Sequence, residues 1–138
     1  MLSLRDGVPD PSFGTGGWFH STLGDGKRVA LAVAPDGRIY IAAGPGLHVQ
    51  RLMPDGSVDL SCGTLGTVTH ALPSAPALAV VDHRGALLVA MDEQDETETT
   101  SASVVRLSPT GSLDGAFASG GRAALPAAYV HGIALQST

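Results

Sequence analysis

Basic residues are scarce in this sequence. Eight Lys and Arg stand against thirteen Asp and Glu, for a net charge of −5. A nucleic-acid partner needs a basic stripe along the phosphate backbone, and Lys27-Arg28 is the only basic pair. Nucleic acid is therefore excluded as a partner. Long apolar runs are also missing: none reaches the roughly 18 residues of a membrane-spanning helix. Cysteine is reduced to Cys62, so no internal disulfide is available and the redox compartment stays open. Charged residues make up only 15% of the chain. What is plentiful is apolar side chain, at 43%, and turn formers, with 18 Gly and 9 Pro in 138 residues. Few helix-favouring charges and many breakers point to a single folded all-β domain. The first residues, Met-Leu-Ser-Leu-Arg-Asp-Gly, contain no apolar signal-peptide region. The expected compartment is the cytoplasm by default, unless the sequence is a fragment of a secreted or surface protein.

One stretch occurs three times. It reads Arg51-Leu-Met-Pro-Asp-Gly-Ser-Val-Asp-Leu-Ser-Cys-Gly-Thr-Leu-Gly66 in the middle. The earlier copy is Leu4-Arg-Asp-Gly-Val-Pro-Asp-Pro-Ser-Phe-Gly-Thr-Gly-Gly17. The later copy is Arg106-Leu-Ser-Pro-Thr-Gly-Ser-Leu-Asp-Gly-Ala-Phe-Ala-Ser-Gly-Gly121. Asp10, Asp59 and Asp114 are equivalent, at intervals of 49 and 55 residues, as are Phe13, Cys62 and Phe117. The longer interval contains an acidic insertion, Asp92-Glu-Gln-Asp-Glu-Thr-Glu-Thr-Thr100. Between the markers, two apolar runs flank a tight turn twice, at Pro35-Asp-Gly37 and at Asp82-His-Arg-Gly85, where Gly supplies positive φ.

These runs carry apolar residues on both parities, the pattern of strands covered on both faces. Each unit offers four strand candidates. In the first they are Trp18–Thr22, Val29–Ala34, Arg38–Ala43 and His48–Met53. In the second they are Thr67–Leu72, Ala77–Val81, Ala86–Met91 and Ser103–Leu107. Arg122–Leu125 and Val130–Leu135 begin a third, and Met1–Leu4 reads as a stray outer strand. Four antiparallel strands per 40–50 residues is the signature of a β-propeller blade. The expected units are 1–16 (partial strand and marker), 17–65, 66–120 and a half blade at 121–138, about two and a half blades in all. A propeller of four to eight such blades takes about 200–400 residues. The expectation is a ring closed by oligomerisation, with a homodimer favoured and Met1–Leu4 of one copy completing the half blade of the next.

The markers and turns resemble the delta-60 repeat family, whose units read R-L-x-x-D-G-S-L-D-x-S-F-G-x-x-G and then A-x-x-P-D-G-R-I-x-x-A-G. The resemblance spans nearly the whole chain. Departures are Cys62 for Phe, Ala118 for Gly, Leu65 for a small residue and Thr110 for the turn Asp. It implies a β-propeller, no defined enzymatic activity, and a role as an interaction or surface module in bacteria.

Candidate sites are weighed against structural roles. Asp10, Asp59 and Asp114 would bind a cation if they lined a channel, but carboxylates recurring in every unit read as turn caps, with Gly56 and Gly111 shaping the adjoining turns. Phe13, Cys62 and Phe117 read as repeat core. Cys62 as a reactive thiol would need a basic neighbour, and none stands near it in sequence. The pairs Asp6/Asp10 and Asp55/Asp59 lack the closing Glu of a calcium loop. In the insertion, Asp92, Asp95 and Glu96 are weak metal candidates on what reads as a solvated loop. His20, His48, His70, His83 and His131 have no metal-ligand spacing. Gly14-Thr-Gly-Gly17 lacks the Lys and helix of a phosphate loop. Ser12, Ser61 and Ser101 lack a nucleophile-elbow context. Trp18-Phe19, the only aromatic pair, reads as a strand-start core contact before it reads as a sugar platform. No catalytic set and no cofactor site emerges. The leading functional expectation is a non-enzymatic propeller module that self-assembles and binds a protein or carbohydrate ligand through its loops. A hydrolase or lyase site formed only at ring closure, and a structural fragment of a larger propeller, are the alternatives.

Overall fold

The computed structural model describes residues 7–23, 28–93, 101–126 and 130–136. Met1–Leu4, Asp95 and Glu96 lie outside them. The described residues are all-β and without helix, in two four-stranded antiparallel sheets. The first sheet runs β1 (Val29–Val33), β2 (Ile39–Ala43), β3 (Leu47–Leu52), β4 (Thr67–His70). The second runs β5 (Ala75–Val81), β6 (Leu87–Glu93), β7 (Ser101–Leu107), β8 (Arg122–Leu125). In both, strand order in space is strand order in sequence, the meander of a propeller blade.

The turns form where the sequence places them. Between β1 and β2, Gly37 takes φ 86° and donates its N–H to the Ala34 carbonyl at 2.9 Å. Between β5 and β6, the Asp82 carboxylate accepts the N–H of Arg84 at 2.8 Å and of Ala86 at 3.0 Å. These bonds hold the reversal with side-chain acceptors, the Asx-turn device.

Four strand expectations are corrected. Thr67–Leu72 reads from sequence as the opening strand of the second unit, but the strand there is Thr67–His70, which pairs with β3 and closes the first sheet. Arg122–Leu125 likewise closes the second sheet by pairing with β7. The reason lies in the marker motif, which reverses the chain instead of carrying it across to the next blade. Gly63, Leu65 and Gly66 all take positive φ (58°, 53° and 82°), and Arg51 N–H bonds the Gly66 carbonyl at 3.1 Å. The chain therefore returns beside the strand it left. Sheets change only after His70, before β5 begins at Ala75.

Trp18–Thr22 is not a strand. Trp18 makes an isolated bridge to Thr15, and the segment that repeat register would pair with it is Met1–Leu4. Val130–Leu135 is coil as well: no neighbour among the described residues extends it into a ladder.

The two sheets pack face to face with β1 against β5. Ala30, Ala32 and Ala34 of the β1 side, with Tyr40, Ala42, Leu47 and Val49, meet Val81, Leu87, Val89, Met91, Val105 and Leu107. Small alanines on one side let the backbones approach, while large aliphatics on the other fill the gap. The burial of a large aliphatic is worth about 1.5–3 kcal/mol. Among the described residues only one face of β1 is covered. Val29, Leu31 and Val33, on its other face, remain 51%, 64% and 60% exposed.

Candidate functional site

The marker motif builds the densest polar cluster. In the first sheet, Asp59 Oδ1 accepts the N–H of Ser61 at 3.1 Å and its hydroxyl at 2.6 Å. Asp59 Oδ2 accepts Arg51 Nε at 2.8 Å and Arg38 Nε at 2.9 Å. Arg51 reaches further, to Ser61 Oγ at 3.0 Å and the Tyr40 hydroxyl at 3.2 Å. It also donates to the carbonyl of Pro109, tying the first sheet to the marker of the second. Arg51 and Asp59 are both buried. The hydroxyl bond from Ser61 is the largest cause holding the Asp59 carboxyl at about 2 against the desolvation that opposes it.

The second sheet varies the plan. Arg106 approaches Asp114 at 3.4 Å and donates to Asp82 at 2.8 Å. The first cluster adds a second cation, Arg38, while the second adds a second anion, Asp82. Asp114 Oδ1 accepts the N–H of Ala116 at 3.1 Å. Asp10, in the first marker, accepts the N–H and hydroxyl of Ser12 at 2.9 and 2.7 Å. In each marker the carboxylate thus closes a turn two residues downstream. An acid or base for chemistry must be free to exchange its proton with a substrate, whereas these groups point into their own turns.

Sequence reasoning passed over Arg51 and Arg106 as the partners of these carboxylates. The signal was present: both stand eight residues before the marker Asp. Hairpin return makes that spacing a contact, and the hairpin itself was not foreseen.

The repeat hydrophobes sit at the junctions between units. A Cβ added to Gly56 would stand 3.0 Å from ring atoms of Phe13 and 2.7 Å from the Gly14 nitrogen. One added to Gly111 would meet Val68 at 2.3 Å and Cys62 Sγ at 3.6 Å. The hydrophobes of the first two markers, Phe13 and Cys62, therefore lie on the turn glycine of the following marker. A backbone bond accompanies each contact: Gly14 N–H to the Asp55 carbonyl at 2.7 Å, and Gly63 N–H to the Thr110 carbonyl at 3.3 Å. His70 adds a ring-nitrogen contact to the Gly111 carbonyl at 3.0 Å. Cys62 is buried, Phe13 and Phe117 half-buried. Burial pushes the Cys62 thiol up, although Arg51 pulls the other way.

At the first junction a shallow crevice of about 540 Å³ opens between Trp18, Phe19, His20, Asp55 and Ser57. Trp18 is 60% exposed, which corrects the reading of it as a core contact. Among the described residues Trp18 bridges only to Thr15, so no strand ladder carries the indole into a core. Of the metal candidates, Asp92 is buried and takes a guanidinium bond from Arg28. Among the described residues, no three His, Cys, Asp or Glu side chains converge as a metal site.

Residues 34–61 match the family model of a beta-propeller domain of unknown function, DUF5122. The matched stretch covers the first turn, β2, β3 and the marker as far as Ser61. The match supports a β-propeller-type repeat family, in keeping with the two four-stranded sheets. No curated protein and no solved structure matches the chain.

Proposed function

We propose that this protein is a non-enzymatic β-propeller repeat module that self-assembles and presents its loop face to a protein or carbohydrate ligand. The observation that carries the self-assembly is the asymmetry of the sheet pair. One face of β1 is packed on β5, and its other face leaves Val29, Leu31 and Val33 exposed. An apolar strand face of this kind drives association. The marker carboxylates favour a scaffold over a catalyst, because Oδ1 of each accepts a backbone N–H two residues on, and Asp59 Oδ2 is held by two guanidinium groups.

For the ligand, the crevice beside Trp18 supplies an exposed aromatic surface rimmed by His20, Asp55 and Ser57. An aromatic face with nearby polar groups suits the apolar side of a sugar ring or an aromatic side chain.

Light scattering coupled to size exclusion tests the assembly. A dimer has twice the 13.9 kDa chain mass. A species that stays at 13.9 kDa across the accessible concentration range would overturn self-assembly. Because Trp18 is the only Trp, its fluorescence reports on the crevice directly. Titration with an oligosaccharide panel and a random-peptide pool should shift the emission. A flat response to both removes the crevice from the reading.

A further inference from the structure

The junction between units is made twice among the described residues. Phe13 lies on the Gly56 turn, and Cys62 with Val68 on the Gly111 turn. By the same register the next hydrophobe is Phe117, and the remaining turn glycine is Gly7. Phe117 is half-buried. Gly7 holds the positive φ (71°) of its counterparts Gly56 and Gly111 (84° and 94°), and a Cβ placed there would meet nothing within 4 Å among the described residues. Phe117 offers a ring, and Gly7 a seat of the same shape.

A second feature agrees. Gly14 and Gly63, which follow the marker hydrophobe and donate across the junction, take φ 54° and 58°. Ala118 occupies the same place and keeps φ 48°, although left-handed backbone disfavours any side chain there. The third marker thus retains the backbone shape of the donor half of the junction.

The apolar faces complete the match. Leu78, Val80 and Leu88 on the outer face of the second sheet are only half-buried. They stand where Ala30, Ala32 and Tyr40 stand in the first sheet, on the face that packs onto the following unit. The exposed Val29, Leu31 and Val33 belong to the opposite type of face, the one that receives a preceding unit.

We infer that two copies of this chain dock head to tail, with Phe117 of one copy seated on the Gly7 turn of the other. The Val130–Leu135 segment of the first copy then lies against the Val29–Val33 stripe of the second, in the place a first strand takes in a blade. The inference rests on the self-assembly reading and names its interface. Such a contact is heterologous, and closes into a ring when the rotation permits.

The test uses complementation between two variants. Phe117→Asp removes the ring, and Gly7→Asn fills the seat with a residue that tolerates left-handed backbone. Circular dichroism checks that each is folded. Each variant alone should lose dimer affinity by about 30-fold or more, as for a central anchor. Mixed one to one, with donor dye on the first and acceptor on the second, they should form a mixed dimer where neither dimerises alone. The mixture restores one unaltered junction, Phe117 on Gly7. Leu31→Lys, at a side chain 64% exposed, should give a similar loss without touching the marker, and stands in if either marker variant fails to fold. Wild-type dimerisation in Phe117→Asp and Leu31→Lys, or failure of the mixture to pair, would overturn this interface while leaving self-assembly intact. A wild-type chain that is itself monomeric removes the self-assembly reading first.

Discussion

Arg51 Nε lies 2.8 Å from Asp59 Oδ2, and both side chains are buried, 8% and 6% exposed. A buried pair is worth most when only one partner is removed, because the other charge is then left uncompensated. Asp59→Ala leaves Arg51 without its carboxylate and also frees the Ser61 turn. It should cost about 3 kcal/mol in chemical denaturation. Arg38 reaches the same carboxylate, but its side chain is 35% exposed. Arg38→Ala should therefore cost much less than Asp59→Ala. Equal losses in the two variants would refute the ranking.

The same carboxylate makes stability depend on acid. Asp59 titrates at about 2 in the folded chain, against 3.8 ordinarily. As pH falls through 4, the unfolded chain binds this proton and the folded chain does not, so stability declines. The contribution is fully present above about pH 4 and is lost as pH falls to about 2. Asp10, Asp36, Asp55 and Asp82 are also lowered and add to the slope. Denaturant midpoints measured from pH 6 to pH 2 should fall steadily below 4. In Asp59→Asn, the decline between 4 and 2 should be shallower. An unchanged slope would show that Asp59 is not linked to folding in this way.

Two non-glycine residues hold left-handed backbone, Leu65 at φ 53° and Ala118 at φ 48°. The turn around Ala118 is looser than its counterparts. Ser119 N–H reaches the Arg122 carbonyl at 3.3 Å, where Thr15 reaches Trp18 at 2.8 Å and Thr64 reaches Thr67 at 2.9 Å. At the glycine counterparts, a Cβ would fall 2.2 Å from the Trp18 carbonyl and 2.4 Å from that of Thr67. The methyl of Ala118 therefore accounts for the wider turn. Ala118→Gly relieves both the contact and the φ penalty, offset in part by greater freedom of the unfolded chain. The net expectation is a gain of about 0.5–1 kcal/mol, read as a rise in thermal midpoint. Leu65→Gly should gain a similar amount, since Leu65 is 75% exposed and loses little burial. Loss of stability in both variants would show that the side chains contribute more than the strain they impose.

The all-β class and the tight turns were legible because Pro35-Asp36-Gly37 and Asp82-His83-Arg84-Gly85 carry their own local chemistry. The phase of the repeat was not. An interval of 49 residues fixes how often a strand recurs, but any strand can be counted first. Whether Thr67–His70 ends one sheet or begins the next depends on its pairing with β3, which is long-range. The clue was local after all: with Gly63 and Gly66 flanking Leu65, the marker can double back within itself. The Arg51–Asp59 contact was hidden for the same reason, since eight residues apart means nothing until the hairpin is known. Trp18 misled because an aromatic pair after a turn resembles a strand start, yet its ladder partner by register falls in residues 1–4.

Cys62 offers the last test, because its environment separates a packed side chain from a reactive one. It is 1% exposed, its Sγ faces the Gly111 turn, and burial raises its thiol above the ordinary value. A thiol reacts as its thiolate, which attacks one sulfur of the reagent's disulfide and expels the other, and it must be in contact with solvent to do so. Labelling by a small disulfide reagent at pH 8 should therefore wait for unfolding or local opening. The rate should be about 10³-fold or more below that of the denatured chain. Cys62→Ser places a hydroxyl at the same junction. With Val68 and the Gly111 turn as neighbours, it should cost about 1–3 kcal/mol. Fast labelling of the folded chain, together with a neutral Cys62→Ser, would mean that the junction is open to water and that Cys62 does not seal it.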